Sequence, residues 1–254
     1  MQCGIDLGSR SVKLVVMNPG TKQLTAANVY ETARFYREYG QRTDKGLAVD
    51  FGALGLPAVT SLTATGYGRN TIAIVGATII PELKAHMLGA SYQTGLTDFT
   101  LLDLGGQDSK VIKVRKGRMV DFQTNDKCAA STGRYLENMA AVLDISLAEL
   151  ADYSENPVEL SATCAIFGES ELIGRMVEGY TTAELAAGVN YSIYNRIKPM
   201  LSALKSDKIV FTGGVALGSA IKTFITREMG AEVIVPEHPQ LNGAIGCAVY
   251  KADK

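Results

Sequence analysis

The sequence predicts an α/β protein built from two duplicated lobes, and three observations predict it. The first is a repeated motif. Asp6-Leu7-Gly8-x-x-x-x-Lys13 recurs, letter for letter at its fixed positions, as Asp103-Leu104-Gly105-x-x-x-x-Lys110. The second is the matched flanks. Each copy follows a short apolar run, Cys3 to Ile5 and Thr100 to Leu102, and precedes another, Leu14 to Met17 and Val111 to Val114. Each copy therefore reads as strand, tight glycine turn, strand. The third is order: strand-turn-strand-turn-strand-helix occurs twice, and internal duplication is its simplest source. Two such hairpins can face each other across a cleft and grip a polyphosphate from both sides.

The elements follow in order. In the first half, strands are expected over Cys3 to Asp6, Val12 to Met17 and Leu24 to Tyr30, with Asn18-Pro19-Gly20 turning between the second and third. Thr32 to Lys45 is a polar, tyrosine-bearing surface segment with no assigned form, and Gly46 to Gly55 is expected as a short helix stopped before Pro57. Val59 to Thr65 reads as a strand ended by the loop Gly66-Tyr67-Gly68-Arg69-Asn70, whose Tyr67 and Arg69 either reach the cleft or a partner or decorate the surface. Pro81 to Ala90 reads as a helix with proline in its first turn. The second half restarts with strands Phe99 to Asp103, Ser109 to Arg115 and Met119 to Gln123. Helices follow at Thr132 to Leu143, Ile166 to Glu178 and Thr182 to Lys205, then strands at Lys208 to Phe211 and Val233 to Val235. The last helix, Gly243 to Ala252, is expected to cross back to the first lobe, which divides the chain into residues 1–95 with 241–254, and 96–240.

Bulk properties narrow the function. The chain has 254 residues, 46% hydrophobic and 20% charged, enough to bury a real core. Its net charge is −1 with no long run of one sign, which argues against nucleic-acid or anionic-membrane binding. The apolar runs are of strand length, too short for a membrane span. The N-terminal residues Met1 to Asp6 lack the basic start and apolar core of a signal peptide, so a cytoplasmic location is expected. There Cys3, Cys128, Cys164 and Cys247 are not expected to form structural disulfides.

The repeated hairpin has the parts that phosphoryl transfer needs, namely positioning and charge neutralisation. Gly8, Ser9 and Arg10 in one copy, and Gly105 and Gly106 in the other, let backbone amides approach phosphate oxygens. Asp6 and Asp103, at strand ends, can hold Mg²⁺ through water. Lys13 can neutralise a β- or γ-phosphate, and Gln107 is placed to orient an attacking water. The plain alternative is two ordinary β-hairpins with Asp-Gly turns, but that does not call for matched lysines. Thr212-Gly213-Gly214-Val215-Ala216 follows an apolar strand and could admit an adenine or ribose, with Gln240, Asn242 and Gly243 lining the same end. No GxxxxGK[ST] stretch occurs, so this is not a P-loop protein. The two hairpins and the late Thr-Gly-Gly resemble the acetate and sugar kinase, Hsp70 and actin superfamily, which implies ATP bound between two duplicated ribonuclease-H-like lobes.

Two cysteines stand just before helices: Cys128 in Asn125-Asp126-Lys127-Cys128-Ala129-Ala130-Ser131-Thr132-Gly133-Arg134, and Cys164 in Ser161-Ala162-Thr163-Cys164-Ala165-Ile166-Phe167-Gly168. A helix N-terminus favours negative charge, so it lowers a thiol's pKa and suits a thiolate ligand. Two thiolates do not complete a four-thiolate site, whereas a twofold homodimer would. Burial as small core residues and a Zn²⁺ Cys₄ site both remain open. A cysteine nucleophile lacks support, since His86 and His238 show no paired signature. Cys3, inside the first strand, and Cys247, inside the last helix, read as core.

The motifs Gly4-Ile5-Asp6-x-Gly8-Ser9, Thr65-Gly66-Tyr67-Gly68-Arg69, Asp103-x-Gly105-Gly106-Gln107-Asp108-x-Lys110, Asn125 to Ala130, Thr163-Cys164 with Glu169-Ser170-Glu171, and Thr212-Gly213-Gly214-Val215 span nearly the whole chain. Together they resemble the activators, or ATP-dependent reductase components, of 2-hydroxyacyl-CoA dehydratases, alongside the ATPase subunits of benzoyl-CoA reductase. The resemblance implies a homodimer with one [4Fe-4S] cluster between subunits, held by Cys128 and Cys164 of the second lobe. It further implies Mg²⁺ and ATP in the clefts, a ferredoxin or flavodoxin donor, and single low-potential electrons passed to a cluster-containing dehydratase or reductase, or to a double-cubane cluster protein. Three positions depart from the pattern: Ser131 replaces an expected Gly, Gly168 an expected Ala, and Arg10 a small hydroxyl residue. A small-molecule kinase of the same superfamily, and a non-catalytic nucleotide sensor or zinc-bridged scaffold, are the competing readings.

Overall fold

Strand β1 (Gln2–Leu7) is buried along nearly its whole length because it runs through the middle of a sheet covered on both faces. The computed structural model describes all residues except 45, 50, 51, 57, 67–75, 126–131, 163 and 252–254. β1 pairs antiparallel with β2 (Ser11–Met17), which pairs antiparallel with β3 (Leu24–Glu31). On its other side β1 pairs parallel with β6 (Ser61–Thr65), and β6 with β7 (Ala77–Ile79). Cys3, Ile5, Leu7, Leu14 and Val16 face a core closed by Phe35 of helix α1 (Thr32–Tyr39). Val15 and Met17 face the other way, against Ala244, Ile245 and Ala248 of helix α8 (Asn242–Val249). Gly4 allows that contact: a Cβ there would stand 2.0 Å from the Ala244 carbonyl oxygen. Helix α2 (Glu82–Thr94) packs on α8 through Gly89 and Gly246, where a side chain would meet backbone at 2.0 Å and 1.8 Å.

The second sheet repeats this plan. β8 (Phe99–Leu104) is buried at every position, pairs antiparallel with β9 (Ser109–Arg115), and β9 with β10 (Arg118–Asn125). β8 pairs parallel with β11 (Lys208–Thr212), which pairs parallel with β12 (Glu232–Ile234). The orders β3-β2-β1-β6-β7 and β10-β9-β8-β11-β12 are the same topology written twice, the ribonuclease-H-like arrangement. Helices α3 (Gly133–Val142), α6 (Thr182–Ala203) and α7 (Ala220–Met229) cover this sheet with Leu136, Met139, Val189, Ile193, Tyr194 and Phe224. Helix α4 (Leu147–Leu150) is a single turn capped by Ser146, and α5 (Ala165–Val177) starts at Cys164. α6 opens with a capping box in which Thr181 and Glu184 satisfy each other's backbone amides. The described chain divides into two compact units, Met1–Leu96 with Leu241–Lys254, and Thr97–Gln240.

One local expectation needs correction, and one segment of unassigned form gains its structure. The span Gly46 to Gly55 is not a helix: β4 (Gly40–Thr43) and β5 (Gly46–Val49) form an antiparallel hairpin, followed by a 3-10 turn at Gly52–Leu54. Three glycines in ten residues disfavour a helix, whereas a short hairpin lets Val49 join the core. The polar segment from Thr32 opens as α1, which is capped by the Glu31 carboxylate accepting the Arg34 N–H at 3.2 Å. Among the described residues, no helix is long and apolar enough to cross a membrane.

Candidate functional site

In the first unit, antiparallel pairing sets Asp6 opposite Lys13, and their side chains meet at 3.4 Å (Oδ2 to Nζ). Asp6 is buried and Lys13 nearly so. A buried carboxylate beside a lysine suits a site that receives a hydrated cation and an anion together. Gly8 is required by crowding, since a Cβ would lie 2.6 Å from the Ser11 carbonyl oxygen and 3.0 Å from Lys13 Nζ. Ser9 is exposed at the turn and Arg10 half-buried. The start of α8 comes close to Asp6: a Cβ on Gly243 would stand 3.0 Å from Asp6 Oδ2 and 3.1 Å from Nε2 of buried His86. Asn242 fixes this approach, donating to the His86 carbonyl at 2.9 Å and accepting from Gln93 Nε2 at 3.0 Å.

In the second unit, Asp103 stands opposite Lys110 in the same register, and both are buried. Lys110 is ion-paired with Asp108. The Gly105 N–H donates to the Asp108 carbonyl at 3.0 Å, which closes the loop and leaves Gln107 exposed at its tip. The carbonyls of Gly105 and Gly106 accept the N–H groups of Gly133 and Arg134 at 2.9 Å and 3.0 Å, so α3 begins directly on this loop. Gly213 sits at φ +91°, and a Cβ there would lie 2.2 Å from the Leu104 carbonyl oxygen. Its N–H donates to the Pro239 carbonyl at 3.0 Å, which brings half-buried Gln240 beside the Thr-Gly-Gly turn. Gly214 has open space where a side chain would be, and Val215 is buried beside the start of α3. The structure thus gathers Asp6, Gly8, Ser9, Arg10 and Lys13 in one unit. In the other it gathers Asp103, Gly105, Gly106, Gln107, Gly213, Gly214, Val215 and Gln240.

The repeat reaches further than the motif. Parallel pairing sets Thr65 beside Asp6 and Thr212 beside Asp103, so each unit has a Lys–Asp–Thr row across three strands. Each threonine precedes a glycine of positive φ, Gly66 at +102° and Gly213 at +91°, packed against Leu7 and Leu104 respectively. The recurrence of Thr-Gly at the end of the fourth core strand is the signal that sequence reading passed over.

Cys128 lies outside the described residues, as do Tyr67 and Arg69. Cys164 is half-buried at the N-cap of the 13-residue helix α5, with extended backbone. The chain before it is pinned from two sides. The Glu171 carboxylate accepts from the Ser161 N–H and hydroxyl and from the Ala162 N–H, each at 2.8 Å. Arg196 donates to the Ala162 carbonyl at 2.6 Å. A partly accessible thiol on a fixed loop at a helix start is a fit for one ligand of a thiolate-held metal group, and such a group needs further ligands from elsewhere. Among the described residues, no cluster of three or more His, Cys, Asp or Glu could hold a metal ion by itself. Cys3 and Cys247 are fully buried, as core cysteines; burial pushes the Cys3 thiol up to about 12 and the Cys247 thiol up as well.

Two sheets of one topology, each with a glycine hairpin that sets an aspartate opposite a lysine, define an α/β protein of duplicated ribonuclease-H-like lobes. The chain belongs to the BadF/BadG/BcrA/BcrD ATPase family, whose model matches residues 3–251. It is 34% identical to the 2-hydroxyisocaproyl-CoA dehydratase activator of Clostridioides difficile, covering 99% of this chain and 94% of that protein. It is 33% identical to the (R)-2-hydroxyglutaryl-CoA dehydratase activating ATPase of Acidaminococcus fermentans, covering 99% and 96%. A solved structure of the Clostridium difficile activator with bound ADPNP matches with a TM-score of 0.84 at 33% identity, covering 98% of this chain and 93% of that one.

Proposed function

We propose that this ATPase couples hydrolysis to the delivery of single low-potential electrons to a partner dehydratase or reductase of the 2-hydroxyacyl-CoA dehydratase type, or to a double-cubane cluster protein. Gly8, Ser9 and Arg10 with Lys13, and Gly105 and Gly106, hold the phosphates of Mg-ATP. Asp6 and Asp103 hold the hydrated Mg²⁺, and Gln107 orients the attacking water. Gly213, Gly214, Val215 and Gln240 receive the nucleoside. In this reading the working form is a cytoplasmic homodimer, and Cys128 and Cys164 of both subunits hold one [4Fe-4S] cluster. That cluster, when bound, supplies a one-electron carrier loaded by ferredoxin or flavodoxin.

The observation that carries the reading is the bonding of the Gly133 and Arg134 amides to the Gly105 and Gly106 carbonyls. A shift of the phosphate loop on ATP binding is passed to the first turn of α3, directly after the segment that contains Cys128. Phosphate contact and the start of α3 are then linked through two hydrogen bonds.

The test is iron and acid-labile sulfide in anaerobically purified protein, together with its oligomeric state. About four irons per dimer, lost in Cys128→Ser and Cys164→Ser while ATP binding persists, is the expected result. A protein free of iron that also resists reconstitution would remove electron transfer from the reading.

A further inference from the structure

The first phosphate loop is clasped by a side chain at the start of the helix that follows its sheet strands. Thr32, the first residue of α1, donates its hydroxyl to the Gly8 carbonyl at 2.7 Å, and its N–H to the Arg10 carbonyl at 3.3 Å. In the second unit the matching helix start uses two backbone amides, Gly133 and Arg134, on the Gly105 and Gly106 carbonyls. Helix start on loop carbonyls is therefore a duplicated device, and in the first unit one of its bonds depends on side-chain identity.

The consequence for an anion follows from peptide geometry. A trans peptide is planar, so the carbonyl of Gly8 and the N–H of Ser9 point in opposite directions. Turning the Gly8 carbonyl onto Thr32 turns the Ser9 N–H away from α1, on the exposed tip of the hairpin. Glycine at position 8 permits many other peptide orientations, so without a clasp this amide would sample them. Tyr36, one helical turn after Thr32 and hence on the same face of α1, is half-buried. Burial first, and then the Asp6 carboxylate, raise the Tyr36 phenol to about 12.

We propose that Thr32 is a positioning residue for nucleotide binding: its hydroxyl holds the Gly8–Ser9 peptide with the N–H already aimed at the polyphosphate. The proposal rests on reading Gly8 to Lys13 as a phosphate site, and the experiment separates the two. Binding of Mg-ADP, Mg-ATP and adenosine is measured by calorimetry on the full-length protein for Thr32→Val, Thr32→Ser and Lys13→Ala, with steady-state ATPase kinetics alongside. Thr32→Val is expected to weaken Mg-ADP and Mg-ATP roughly 3- to 10-fold, the worth of one ordinary hydrogen bond. It should raise KM more than it lowers kcat and leave adenosine affinity unchanged, while Thr32→Ser restores wild-type values. If Lys13→Ala weakens Mg-ADP but Thr32→Val does not, the proposal is wrong and the phosphate reading stands. If neither variant affects Mg-ADP, both are wrong. Equal loss for adenosine and Mg-ADP in Thr32→Val would mean general damage and would also overturn the proposal. Should Thr32→Val not fold, Thr32→Ala is read in the same way.

Discussion

The Thr212 hydroxyl donates to the Asp103 carboxylate at 2.7 Å, with both side chains buried. Thr65 holds the matching place beside Asp6, yet its hydroxyl donates to the Ile80 carbonyl at 2.9 Å. The two threonines are thus equivalent in register but not in bonding: Thr212 donates to its aspartate and Thr65 to a backbone carbonyl, while Asp6 meets the Lys13 ammonium at 3.4 Å. Thr212→Val removes a hydrogen bond to a charged group, worth about 1.5–3 kcal/mol. It is expected to lower kcat roughly 10- to 100-fold and to raise the Mg²⁺ requirement. Thr65→Val leaves the Ile80 carbonyl short of a donor, so it should lower the Tm and change kcat far less. Mg²⁺ titrations of ATPase rate in the two variants decide this. Equal losses would mean that the hydroxyls serve only the fold.

This asymmetry also marks the limit of what the sequence shows. Asp6 and Lys13 are seven residues apart, as are Asp103 and Lys110, and a tight hairpin forces such pairs opposite each other. Their chemistry was therefore readable from spacing. Thr65 and Thr212 reach the aspartates through parallel strands whose register leaves no local trace, so their equivalence is not legible even though each lies in a motif. α1 was missed for a similar reason: it has eight residues and buries only Phe35, too little for a periodic signal. Cys164 at a helix start was legible because the apolar period of α5 begins just after it, but the Glu171 and Arg196 contacts that fix its loop come from the tertiary fold.

Gly213 and Gly214 look alike in sequence and differ in the fold. Gly213 combines positive φ with a clash at 2.2 Å, while Gly214 has nothing within 4 Å of an added Cβ. Gly213→Ala is expected to cost more than about 2 kcal/mol of stability, seen as a large fall in Tm. Gly214→Ala should keep a near wild-type Tm and weaken adenosine binding, since the added methyl occupies the space given to the nucleoside. Thermal melts with and without adenosine test the pair, and unchanged adenosine affinity in Gly214→Ala would move the nucleoside elsewhere.

The cysteines divide by environment. Cys3 and Cys247 are fully buried, and burial raises both thiols, Cys3 to about 12. The thiolate is the reactive form, so neither should react with iodoacetamide between pH 7 and pH 9 in the native protein. Half-buried Cys164 at a helix start should react under the same conditions in metal-free protein. Peptide mapping after timed alkylation reads this directly. Native labelling of Cys247 as fast as Cys164 would show that α8 opens from its sheet.

Glu171 is the residue that ties α5 to the loop ahead of Cys164. Burial pushes its carboxyl up, but hydrogen bonds from the Ser161 and Ala162 amides and the Ser161 hydroxyl outweigh this, and its pKa lies below the ordinary value. A pKa lowered by folding contributes stability that is present above the unfolded value, about 4.3. That contribution is lost as pH falls through the folded value. Glu171→Gln keeps the shape but removes the charge, and its amide nitrogen meets an N–H that needs an acceptor. The variant should be less stable than wild type at pH 7, and the gap should narrow as pH drops below the ordinary carboxylate range. Hydrogen exchange at the Ser161 and Ala162 amides should quicken in the variant at pH 7, because these amides lose their shared acceptor. In metal-loaded protein the same change should speed metal loss to a chelator while ATPase activity persists. A stability gap of the same size at pH 3.5 as at pH 7 would show that the charge of Glu171 plays no part in holding the loop.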